Sequence, residues 1–457
     1  MATRRDIVTG LSLAAVATAL PAHAIAREAS RSMAPPDPLA IDGRLPLNRE
    51  RAYRLMKAAG IDALIGAFND NARYLTNIHG LMSDMGLPRR VIGILPADPR
   101  QRPVAIIPNI EIGRHSAPDR EWPEIVTYSV PERPELFAGQ TRLSRDSDVP
   151  ALQPRSRTGA GLSDTEQSWS KNERILPVAV AATPELGVRK ALAGLGLSRA
   201  RLGIDDAGLV NSLAVLGYDP AQFILAENLF LRIRLVKSAV EIERMRRVSE
   251  LNSAAGRASM AAFQPGMTMA DIEALFFTEA ARRGGRPNFI VAGMTQGLRQ
   301  GELVRHEPLL VDCAATFDGY SGDFARTVVL GAPLRLLSER AQITGRVAEA
   351  LTATLKPGQL YSEIRARGQA LLKQMGGNFP MGTGPHSVGM QHSEDPWRDD
   401  LPFQVREDVR LEAGMIITVD LPTLEPGWGS MHMESLILIK PDGAEWMDRI
   451  DDPLYEI

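Results

Sequence analysis

Apolar and polar positions along this chain fall into two rhythms. From Ser238, the apolar residues Ile242, Met245, Val248 and Leu251 recur every three or four positions, which is the spacing of one helix face. Ser238 with Glu241 three residues on is a capping-box signature for the start of that helix. Further on, short apolar runs bounded by turn residues predict strands. Leu309–Val311 and Thr327–Leu330 flank Asp318-Gly319, a favoured hairpin turn pair. Met415–Leu421 and Met431–Ile439 predict a second pair of strands. In the N-terminal half, ERAYRLMKAAGIDALIGAFNDNARYLTNIHG predicts a helix, a strand from Ala63 and a tight Asn-rich turn. VIGIL, VAIIP and the stretch from Arg201 to Asp206 add strand-like units. Gln140–Arg174, rich in Ser, Arg, Thr and Gly, reads as a long exposed loop.

The strand pattern has chemical consequences. With Asp318-Gly319 as a two-residue loop, Phe317 faces Tyr320 and Asp323 lies opposite Ala314. Alternation puts Asp312 and Ala314 on one face, so the Asp312 and Asp323 carboxylates stand diagonally, roughly 7–8 Å apart at Cα. Like charges that close call for a cation between them. Alone, the pair would read as a solvated hairpin face. The second strand pair changes the balance. Its first strand ends near Asp420, and Glu434 sits inside the apolar run MHMESLILI, where an unpaired carboxylate is costly. Between the hairpins, GTGPHSVGMQHSED carries His386 and His392. Three Asp, one Glu and a histidine form a hard, mostly oxygen donor set. It suits two divalent ions, Mn²⁺ first, with Fe, Co or Zn also compatible.

An internal repeat ties the halves together. Phe263–Gly285 resembles Leu355–Gly377 at an offset of 92 residues, with Pro265/Pro357, Gly266/Gly358, Ile272/Ile364 and Gly284-Gly285/Gly376-Gly377 coinciding. Each copy reads as a helix, a Pro-Gly break and a second helix ended by glycines, followed by a hairpin bearing two acids. The expectation is a pair of pseudo-symmetric α/β halves sharing one sheet, with the acids at their interface.

Composition narrows the function classes. With 457 residues, two or three domains are expected, and 44% hydrophobic content supplies an ample core. A net charge of −3 without a basic stripe argues against nucleic acid. The single cysteine, Cys313, excludes an intrachain disulfide and a thiolate cluster; alternation turns it away from Asp312 as a small buried residue. His79 and His115 are read as structural and His306 as a surface residue. There is neither a Gly-x-Ser-x-Gly elbow nor an HExxH motif. At the N-terminus, Thr3-Arg4-Arg5-Asp6-Ile7-Val8, a modest apolar stretch to Leu20 and Ala22-His23-Ala24 predict a twin-arginine signal peptide over residues 1–26. About 14 apolar residues fall short of the ~20 that span a bilayer. Export of a folded protein to the periplasm, without a stable membrane anchor, is therefore expected.

Taken in order, these pieces resemble the family of aminopeptidase P, prolidase and creatinase, the pita-bread metallopeptidases of family M24. GIDALI with NARYLTN is similar to the start of the family's N-terminal domain, and IRLVKS with EIERMR to the lead into its catalytic domain. VDCAATFDGYSGDFARTVVLG, GPHSVG, LEAGMIITVDLP and MHMESLILI resemble its successive ligand segments. The resemblance implies an α/β (α+β) chain with a creatinase-like domain over 41–228 and a pita-bread catalytic domain over 229–457. It implies that Asp312 and Asp323 hold one metal, while Asp323 and Glu434 bridge to a second that His386 and Asp420 complete. His392 would stabilise charge on the attacked carbonyl, Asp420 would also relay a proton, and a metal-bridged hydroxide would be the nucleophile. A small peptide or small molecule is the expected substrate, and a homodimer the expected assembly.

The chain departs from the pattern at several points. Asp420 stands where the family usually has Glu, His432 where an arginine is common, and Ala325 where a threonine is usual. His386 and His392 are six residues apart, one fewer than usual, and Gly293-Met294-Thr295-Gln296 lacks a histidine found there in the family's peptidases. The leading expectation is an exported Xaa-Pro peptidase. The alternatives are a hydrolase or lyase for a small molecule on the same metals and, from another class, a catalytically silent binding relative.

Overall fold

The computed structural model describes residues 44–115, 123–130, 179–293, 297–448 and 452–457, with isolated positions between 149 and 167. The signal segment, most of Gln140–Arg174 and positions 294–296 lie outside the described residues.

The N-terminal portion is built on a six-stranded mixed sheet. Its strands are β1 (Ala63–Gly66), β2 (Ile92–Pro96), β3 (Val104–Pro108), β4 (Glu124–Tyr128), β5 (Leu202–Ile204) and β6 (Phe223–Leu225), in the order β4-β3-β2-β1-β5-β6. β1 to β3 are buried along their whole length, which explains their continuous apolar runs. The Asn-rich stretch does not turn: Asn69–Thr76 is a helix, α1, ended by Asn77 at φ 54°. Its Ala72, Tyr74 and Leu75 are core residues, and the buried Asn71 bonds to Asp205 and Arg234. Tertiary partners thus satisfy a polar side chain that in isolation favours a turn.

The C-terminal portion places helices against an eight-stranded sheet. Helix α2 (Ala239–Met260) opens with the expected capping box: Ser238 Oγ accepts from the Glu241 N–H at 3.2 Å and the Ser238 N–H donates to Glu241 at 2.8 Å. It is followed by α3 (Met269–Arg282), and the second copy supplies α4 (Arg335–Thr352) and α5 (Tyr361–Gln374). The repeat extends to the backbone. Gly266 and Gly358 sit at φ 86° and 96°, and Gly284 and Gly376 at 81° and 79°, a region that penalises a Cβ.

The sheet comprises β7 (Arg286–Ala292), β8 (Leu309–Phe317), β9 (Tyr320–Ser321), β10 (Phe324–Val329), β11 (Ile416–Asp420), β12 (Glu434–Lys440), β13 (Gly443–Trp446) and β14 (Leu454–Glu456). Its spine runs β9-β8-β10-β12-β11, with β7 on β8, β13 on β12 and β14 on β10. Phe317 faces Tyr320 and Cys313 faces Phe324, one unbroken register that puts Asp323 level with Ala314 as anticipated. The strand expected over Met431–Ile439 is interrupted: Gly429–Met431 and Glu434–Lys440 are separate, and His432-Met433 lies between them. The reason is that the two pieces pair with different partners, Thr423–Glu425 and β11. Among the described residues, no helix is long and apolar enough to cross a membrane.

Candidate metal centre

The two hairpins meet where β10 pairs with β12 at a single position, Ala325 opposite Glu434. Asp312 pairs with Ala325, and Asp420 with Glu434. A row of four neighbouring strands therefore reads Asp312, Ala325, Glu434, Asp420, with three carboxylates on it. The small Ala325 leaves room beside Glu434. Asp323 enters this row from the short break ahead of β10. Arg326, fully buried, donates to the Glu434 carbonyl at 2.7 Å and to Ser435 Oγ at 3.1 Å, which pins the strand that presents Glu434.

His386 is delivered by a segment laid along β11. Its carbonyl accepts from the Thr418 N–H at 2.9 Å, and Ser387 bridges to Ile417. Its Nε2 lies 3.5 Å from Asp323 Oδ2 and 3.3 Å from Glu434 Oε1. His392 brings Nε2 to 3.1 Å from Asp323 Oδ2, with its ring edge-on to Phe289 at 5.2 Å. Its side chain is 34% exposed, so it borders solvent while Asp323 is enclosed.

Two groups of potential donors result. Asp323, His386 and Glu434 each offer an atom within 4.8 Å of the others, and so do Asp312, His432 and Glu434. Glu434 belongs to both. Asp420 belongs to neither: its Oδ1 accepts a hydrogen bond from His432 Nε2 at 2.8 Å. His432 is thus the residue that sequence reading passed over as a mere departure. The available signal was its alternation with Glu434, which puts positions 432 and 434 on one face. His79 pairs with Asp84 and His115 with Glu111, both away from the site, and His306 is exposed, as expected. Cys313 is buried in the core against Phe324.

The electrostatics are those of a crowded anionic site. Burial, then the Asp323 charge, raises the Asp312 carboxyl to about 7. Burial, then Asp323 and Asp420, holds Glu434 well above the usual carboxylate range. Burial alone would lower the His432 imidazole, but its bond to Asp420 and the charges of Glu434, Asp420 and Asp312 push it up to about 9. His392 is raised by Asp323 against the same burial effect. Asp312 Oδ1, both Asp323 oxygens and Glu434 Oε1 are buried without a hydrogen-bond partner among the described residues. Buried carboxylate oxygens are rarely left so unless a cation satisfies them. The donors present fit divalent metal binding.

Comparison with known proteins agrees with this geometry. Residues 243–441 match metallopeptidase family M24. An Xaa-Pro dipeptidase of Pyrococcus furiosus is 23% identical over 232 residues, 49% of this chain and 65% of that protein, so the match spans less than two thirds of the relative's length. In fold, the chain is similar to an Xaa-Pro dipeptidase from Bacillus anthracis (TM-score 0.63, 20% identity, 90% of this chain and 99% of that one). It is also similar to an X-Pro aminopeptidase from Thermotoga maritima (TM-score 0.62, 16% identity, 90% and 99%). The mixed α/β fold is that of these pita-bread enzymes, and the segment that carries the candidate metal centre is the one that matches metallopeptidase family M24.

Proposed function

We propose that this protein is a dinuclear metal-dependent peptidase acting on Xaa-Pro peptides, exported to the periplasm by the twin-arginine route and working as a homodimer. The observation that carries the reading is the pair of donor groups sharing Glu434, assembled from both halves of the repeat. Manganese is the first candidate ion on the strength of the oxygen donors. Ions at such a site polarise a peptide carbonyl and lower the pKa of water. Around them, His392 borders solvent at the edge of the group, and Asp323 raises its pKa above the ordinary imidazole value, which suits donation to the carbonyl oxygen as charge develops there. Asp420, with a side chain 25% exposed and one oxygen held by His432, is placed to take and return a proton. The dipeptidase and aminopeptidase relatives support a peptide as substrate. A second reading, a hydrolase or lyase for a small molecule, is favoured by one feature, the Asp420–His432 pair in place of the usual glutamate and arginine.

The test is metal analysis of the purified protein joined to kcat/KM on Xaa-Pro dipeptides, longer Xaa-Pro peptides and matched peptides without proline. About two divalent ions per chain and selective cleavage before proline are expected, with Asp323→Ala losing most of the metal. A fully loaded protein that cleaves none of these peptides would refute the peptidase reading and leave the small-molecule reading and the silent binding relative standing. For export, replacing Arg4 and Arg5 by lysine is expected to trap uncleaved precursor in the cytoplasm. Undiminished mature protein in the periplasm counts against that route.

A further inference from the structure

We propose that His432 is a metal ligand, the nitrogen donor to the ion held by Asp312 and Glu434, so that this site carries one imidazole per ion. The inference rests on the two-ion reading above and deepens it. His432 and Glu434 alternate along one edge of the broken strand, and a donor atom of His432 lies within 4.8 Å of donors from Asp312 and Glu434. Its Nε2 stands 3.5 Å from Glu434 Oε2 and 2.8 Å from Asp420 Oδ1. The ring is held there by its own backbone. The His432 N–H donates to Thr327 Oγ1 at 3.0 Å, and the Thr327 hydroxyl donates back to the His432 carbonyl at 3.2 Å. The side chain is 8% exposed.

A side chain facing three acids could serve only as a counter-charge, and lysine or arginine would do that equally well. Imidazole differs because, with its proton on one nitrogen, the other has a lone pair for a metal. If Nε2 takes the ion, its contact with Asp420 Oδ1 is given up and the remaining proton resides on Nδ1; if Nδ1 takes it, the Nε2–H stays on Asp420. A second imidazole also changes the ion preference. Carboxylates alone suit Mn²⁺, whereas added imidazole favours Zn²⁺, Fe²⁺ or Co²⁺. Manganese, the first candidate from the oxygen donors alone, is therefore expected to give way to zinc or iron at the position beside His432.

X-ray absorption at the zinc edge counts imidazoles directly, on full-length protein stripped and reloaded with Zn²⁺. Wild type, H432Q and H392Q are compared, with zinc content measured against a graded chelator and folding followed by circular dichroism. H432Q is expected to lose imidazole scattering and to release one ion at a chelator concentration lower by at least about tenfold, since losing a direct ligand costs no less than losing a residue that only orients one. H392Q should keep both. If H432Q does not fold, H392Q still decides, since only His386 and His432 then remain near the ions. About one imidazole per zinc supports the inference, and about half that overturns it. Two ions held by H432Q with unchanged affinity and scattering would overturn the ligand role and leave the two-ion reading standing. A single ion in wild type that weakens in H432Q would sink the two-ion reading but support the ligand role. No uptake of zinc by wild type would overturn both.

Discussion

Asp420 is one methylene shorter than the glutamate its position usually carries, and that difference bears directly on proton transfer. Its Oδ1 is engaged by His432 at 2.8 Å, which leaves the other oxygen of the shorter side chain to take the proton across a longer gap. Asp420→Glu restores the reach. On the peptidase reading, the variant is expected to match or exceed wild-type kcat/KM on Xaa-Pro peptides at equal metal content. A fall in activity with metal unchanged would assign Asp420 to a different reaction. At this scale the sequence was informative where arithmetic applied. A two-residue turn and strand alternation place Asp312 and Asp323 together, and the structure keeps that register through Phe317/Tyr320 and Cys313/Phe324. For His432 only its alternation with Glu434 was legible; its bond to Asp420 was not, because the fold alone brings the two together.

At the scale of elements, a buried acid, Glu394, does much to hold the segment carrying both His386 and His392. Glu394 pairs with Arg234 at 3.0 Å and Lys237 at 3.3 Å, all three being at most 1% exposed, and it also accepts from the Gln391 N–H at 3.1 Å. Its own N–H donates to the Ser387 carbonyl at 2.9 Å. Removing this carboxylate leaves two cations buried without their partner. Glu394→Ala is therefore expected to cost about 3–5 kcal/mol at neutral pH. Burial raises the Glu394 pKa, but Arg234 and Lys237 outweigh it and hold the group below its ordinary 4.5. Its stabilising contribution is thus present above pH 4.5 and fades as pH falls through the folded-state value. The difference between variant and wild type should shrink correspondingly in acid. Urea unfolding at pH 7 and below pH 4 checks both statements, and a pH-independent difference would show that packing, not charge, is lost. Elements with a local signature were readable: Gly266, Gly358, Gly284 and Gly376 mark their breaks by residue type because they adopt φ values other residues avoid. Asn69–Thr76 and the break at His432-Met433 were not, since distant partners decide them.

For the whole molecule, the sequence suggests a boundary near residue 228, yet the physical contacts across it are those of an interior. One apolar cluster contains Met56, Tyr74, Leu75 and Leu95 together with Met245, Val248, Tyr320, Val388, Ile416 and Leu436. Asp318, in the turn of the first hairpin, is held by Arg73 from α1 and by Arg244 from α2 at 2.8 Å. Arg51 grips Glu412 with two bonds of 2.9 Å. Separating the portions would expose a contiguous apolar face and leave buried charges unpaired, both of which carry free-energy costs comparable to the stability of a domain. The expectation is that full-length protein unfolds in one cooperative transition, seen alike by far-ultraviolet circular dichroism and tryptophan fluorescence. Residues 229–457 expressed alone should be insoluble or should lack a cooperative transition, and adding residues 41–228 as a separate chain should restore it. Two well-separated transitions in the full-length protein, or a stable isolated C-terminal portion, would show instead that the shared cluster contributes little. The boundary would then be one of folding as well as of sequence, and the acids of the metal centre would be positioned without help from the N-terminal sheet.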